Sequence, residues 1–75
     1  MKSVSINLNL AEHVKKFVSI AEKYNFEIDI RSGRHVVNAK SMLGIFSLDL
    51  SEDVIIEIFS DECDAFIEDI KEFIV

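Results

Sequence analysis

The spacing of apolar residues switches repeatedly between a period of two and a period near 3.6, and this alternation limits the folds open to the chain more than any other feature. Residues 2–9 place Val4, Ile6 and Leu8 on one face and Ser3, Ser5 and Asn7 on the other, the pattern of a half-buried strand. From Leu10 the steps become three and four. Leu10, Val14, Phe17, Val18, Ala21 and Tyr24 form one apolar stripe, which predicts a helix over 10–24. Alternation returns in 26–31 and 35–40 around a Ser32-Gly33 turn, predicting a hairpin with Phe26, Ile28, Ile30, Val37 and Ala39 facing inward.

Ser41 stands where an N-cap is expected, directly before the apolar run Met42-Leu43-Gly44-Ile45-Phe46, so a short helix is predicted over 42–48. Residues 53–59 form a fourth strand with Val54, Ile56 and Ile58 toward the core and Ile55 and Phe59 on the opposite face. Ser60 and Asp61 then open a last helix over 61–75, whose stripe is Cys63, Phe66, Ile67, Ile70, Phe73 and Ile74. The early acids Asp61, Glu62 and Asp64 suit the positive end of its dipole. The order βαββαβα predicts an α/β (α+β) domain, a four-stranded antiparallel-type sheet with helices on one face.

At 75 residues the chain has material for one core, so 1–75 is read as a single domain. A net charge of -6, with only eight Lys and Arg spread along the chain, argues against nucleic acid and anionic membranes as partners. No apolar run approaches a spanning length, and residues 1–20 lack the continuous apolar core of a signal peptide, so a cytoplasmic protein is expected. The lone Cys63 falls on the apolar stripe of the last helix and is expected as a buried thiol.

The element order, the length, and above all the stretch Gly33-Arg34-His35-Val36-Val37-Asn38-Ala39-Lys40-Ser41-Met42-Leu43-Gly44-Ile45-Phe46-Ser47-Leu48 resemble the HPr family of phosphocarrier proteins of the bacterial sugar phosphotransferase system. The shared pattern is a turn Gly, a strand ending in Lys-Ser, and an apolar helix with Gly at its third position. The resemblance implies an open-faced sandwich, no enzymatic activity, no cofactor, and protein partners from the phosphotransferase system or of HPr-kinase type. It also implies a Gly-x-His-x-Arg-Pro motif between the first strand and first helix, where helix N–H groups and a guanidinium steady a phosphohistidine. Residues 7–12 read Asn-Leu-Asn-Leu-Ala-Glu instead, without Gly, Arg or Pro, and His13 falls inside the helix near the position of the family's proline.

Each candidate residue has a plain reading beside a functional one. His13 with Lys15 faintly copies the His-x-Arg spacing, making His13 the alternative phosphoacceptor. Lys15 is a point charge and no bidentate fork, Glu12 would repel a phosphoryl group, and an ordinary half-exposed helical histidine is the plain reading. His35 is expected as a strand-end residue. Ser41 is read as a helix cap, and by the resemblance it matches the serine that HPr kinase phosphorylates in Gram-positive members. Met42, Leu43 and Phe46 match the family's exposed docking patch and Ile45 and Leu48 its buried side, while Lys15, Lys16 and Ser19 would lie beside that patch. Neither histidine has the neighbours a metal site requires, so no metal is assigned. The leading expectation is a regulatory or protein-binding variant without histidine phosphotransfer; the others are a divergent phosphocarrier using His13 and a drifted interaction module.

Overall fold

The computed structural model describes residues 1–75. The alternating segments become β1 (Lys2–Ile6), β2 (Ile28–Ser32), β3 (His35–Asn38) and β4 (Val54–Ile58), and the helical ones α1 (Ala11–Ala21), α2 (Met42–Phe46) and α3 (Asp64–Asp69). A 3-10 turn, Lys71–Phe73, follows α3. The strands form one antiparallel sheet in the order β1-β4-β2-β3. Val4, Ile56, Ile30 and Val37 thus share a row that faces the helices, and Ser5, Ile55, Arg31 and Val36 share the next row, on the open face. The core is apolar throughout: Ile6, Leu8, Ile28, Ile56 and Ile58 from the sheet side meet Val14, Phe17, Ile45, Phe66 and Ile70 from the helices, with no buried polar residue. Phe66 sits at its centre, edge-on to Phe17, Tyr24 and Phe26.

Several boundaries differ from the expectation, each for a local reason. β1 ends at Ile6, and Leu8 is buried from the connection that follows. Leu10 leaves the apolar stripe: it is the extended N-cap of α1 and is exposed. The hairpin turns at Gly33 and Arg34, with Ser32 paired to His35, because glycine is placed first in the turn at φ 59. Phe26 precedes β2 and is half-buried against the core.

The last helix departs most. Its first acids never enter it, because the Ser60 hydroxyl accepts from the Glu62 N–H and turns the chain locally, leaving Cys63 as N-cap. Its end is drawn off by the sheet. The outer edge of β1 offers unpaired main-chain groups, and the tail answers them: Asn7 N–H donates to the Phe73 carbonyl at 2.8 Å and Val75 N–H to the Ser5 carbonyl at 3.1 Å, with Ile74 bridging Ile6. Cys63 is buried, as expected.

Candidate functional site: the short helix and its serine cap

α2 is held by its two ends and by one face. Asn38 begins the approach, its side-chain oxygen accepting from the Lys40 N–H at 2.7 Å. Ser41 then takes extended geometry, and its hydroxyl oxygen accepts from the Gly44 N–H at 3.1 Å. This is the cap that the sequence predicts. The space three residues on is tight: a Cβ at Gly44 would stand 3.1 Å from the Ser41 hydroxyl and 3.2 Å from Val37 Cβ, so a larger residue would need those side chains to give way. Ile45 and Leu48 are buried and anchor the helix. Its other side is uncovered: Leu43 is 86% exposed, Phe46 43% and Met42 37%. The Ser41 side is exposed as well.

Lys40 performs a task the sequence gives no sign of. Its ammonium donates to the Tyr24 carbonyl at 2.6 Å and reaches the Phe26 carbonyl at 3.4 Å. Those carbonyls lie just beyond α1, where main-chain acceptors have no partner within the helix. A second tie lies nearby, with the Tyr24 hydroxyl donating to Asp69 at 2.6 Å. That hydrogen bond, followed by partial burial and the Asp69 charge, raises the Tyr24 pKa. No pattern in the sequence pairs residues so far apart.

On α1, Lys15, Lys16 and Ser19 are exposed, and α1 packs against α2. The Lys16 ammonium is taken by Glu72 at 2.8 Å. His13 is half-buried, its ring 5.6 Å from that of Phe73. Its Nδ1 is buried without a hydrogen-bond partner. His13 shares an open pocket of about 370 Å³ with Asn7, Glu72, Phe73 and Val75. His35 opens β3 and is exposed, as expected of a strand-end residue. No three His, Cys, Asp or Glu side chains gather where they could hold a metal ion. No helix is long and apolar enough to cross a membrane.

An antiparallel four-stranded sheet with three helices on one face and a serine-capped apolar helix at its margin defines the class, an open-faced α+β sandwich of the phosphocarrier type. The family model described as the PTS HPr component phosphorylation site matches residues 10–75, and the chain belongs to this family of phosphocarriers, which are not enzymes. HPr-C-His from Thermoanaerobacter tengcongensis is 29% identical with a TM-score of 0.80, over 96% of this chain and 89% of that one. The phosphocarrier protein HPr from Bacillus anthracis str. Ames is 25% identical with a TM-score of 0.73, over 99% and 94%. The histidine-containing phosphocarrier protein of Mycoplasma shares the fold at 20% identity and a TM-score of 0.70, over 95% and 86%. No curated protein matches the chain significantly.

Proposed function

We propose that this chain is a regulatory, protein-binding member of the HPr family that docks a phosphotransferase-system or HPr-kinase-type partner through α2 and does not carry phosphate on a histidine. The observation that carries the reading is the division of α2: Ile45 and Leu48 are buried while Met42, Leu43 and Phe46 stand exposed beside an exposed Ser41. Burying two or three such side chains yields about 1.5–3 kcal/mol each before association costs, which supports a modest affinity.

Ser41 is the switch in this reading. The sequence contains no carboxylate between Asp29 and Asp49, whereas Arg31, Arg34 and Lys40 fall within that interval. A phosphate there adds close to two negative charges to a stretch that otherwise has none, so it strengthens contact with a partner presenting Arg and weakens contact with one presenting carboxylates.

Phosphotransfer through His13 is disfavoured by its surroundings. Nδ1 is closed off beside Phe73, Glu72 lines the same pocket, and the neighbouring cation Lys16 is already paired with Glu72. The test has two arms. Incubation with phosphoenolpyruvate and the family's first enzyme is expected to give no acid-labile phosphate; stable labelling that vanishes in His13→Ala overturns the reading. Incubation with HPr kinase and ATP is expected to give an acid-stable phosphate that vanishes in Ser41→Ala, and its absence from the unaltered chain removes the switch.

A further inference from the structure

The two edges of the sheet are treated differently. At β1 the C-terminal tail lies along the end of the edge and pairs with it, through Ser5, Asn7 and the Ile6–Ile74 bridge. At β3 nothing does. The closing pair Ser32–His35 and the bond from the Ala39 N–H to the Ile28 carbonyl fix the alternation of the hairpin, so Ile30 and Val37 exchange hydrogen bonds and Val36 and Asn38 turn their N–H groups outward. The Asn38 carbonyl is taken by the Ser41 N–H at 3.0 Å, which leaves the N–H and C=O of Val36 and the N–H of Asn38 unpaired at the edge. Val36 is 53% exposed on the open face and stands two strands from Ile55, which is also exposed, with Arg31 between them.

The charge along this edge is the opposite of the molecule's. In a chain of net charge -6, both arginines, Arg31 and Arg34, lie on this hairpin beside His35. Arg31 is partly neutralised by Glu57 at 3.6 Å, but Arg34 has no carboxylate partner. At the other end of the edge Asn38 faces Asp29 across the hairpin. The edge is therefore basic where β3 begins.

We propose that the β3 edge is a docking site for an extended, acidic segment of a partner protein. The segment adds as a fifth full strand, exchanging main-chain hydrogen bonds with Val36, placing an apolar side chain beside Val36 and a carboxylate beside Arg34 and His35. A second copy of this chain offers the edge no such carboxylate, since its own β3 and the residues on either side, 30–48, contain none. The site is separate from the α2 patch and does not rest on the regulatory reading of it.

An acetylated, amidated hexapeptide alternating Glu and Val serves as the probe, and a Lys-Val hexapeptide as its counterpart. Saturation with the Glu-Val peptide is expected to slow hydrogen exchange at the Val36 and Asn38 amides. The Lys-Val peptide should bind about tenfold more weakly, as should the Glu-Val peptide to Arg34→Glu. Val36→Pro removes an edge donor without removing a bond to β2 and should abolish binding, while Leu43→Asp should leave it unchanged. Equal binding of the two peptides, unaltered exchange at Val36, or slowing that follows the concentration of the protein alone each overturns the proposal.

Discussion

The ammonium of Lys40 donates a 2.6 Å hydrogen bond to the main-chain carbonyl of Tyr24, so the residue preceding the Ser41 cap ties the start of α2 to the chain leaving α1. The bond is charge-assisted and partly sheltered from water. Lys40→Met keeps much of the aliphatic stem and deletes the donor, and is expected to cost about 1.5–3 kcal/mol in denaturant unfolding. A loss below that of an ordinary surface change would show that water replaces the ammonium fully.

The Ser41 cap makes a separable contribution. Ser41→Ala leaves the Gly44 N–H without its acceptor and should lower stability by about 1 kcal/mol, whereas Ser41→Asp restores an acceptor and should recover most of that loss. Thermal unfolding of the two variants side by side checks this.

The two faces of α2 should respond in opposite ways. Leu43→Asp alters a side chain that is 86% exposed and should change stability by less than about 0.5 kcal/mol while weakening partner binding. Ile45→Ala opens a cavity under the same helix and should cost about 2–5 kcal/mol. Calorimetry on both variants, with binding measured on Leu43→Asp, separates docking from folding.

Tyr24 is the sole tyrosine of a chain without tryptophan, so its phenol can be followed by ultraviolet absorbance. The hydrogen bond to Asp69 raises its pKa above the ordinary 10.0, and Asp69→Asn should return it toward that value. A folded-state pKa raised above the unfolded one means that the contribution to stability is fully present below pH 10.0 and is lost as pH rises through the folded-state value. Unfolding measured on either side of that range should show the tie weakening only on the alkaline side, and the dependence should vanish in Asp69→Asn.

How far the sequence reaches is clearest at α2. The Ser41 cap is legible from residue type and position, because a cap is set by neighbours within one turn, whereas the buried side of Ile45 and Leu48 was implied only by the resemblance to the HPr family. Periodicity alone leaves the division of α2 open, since its packing on α1 and β3 decides which of its apolar residues are covered.

Local periodicity by itself determined the element order, the inward rows of the sheet and the Ser41 cap, for these depend on contacts within one turn or one pleat. Tertiary structure alone decided where the last helix stops: the apolar stripe continues to Ile74, but the unpaired edge of β1 captures the tail and converts it to extended chain. It likewise decided that Lys40 reaches Tyr24, that Tyr24 reaches Asp69, and that Nδ1 of His13 closes beside Phe73. These pairings join residues distant in sequence whose approach depends on how whole elements pack, and no short-range pattern encodes that distance.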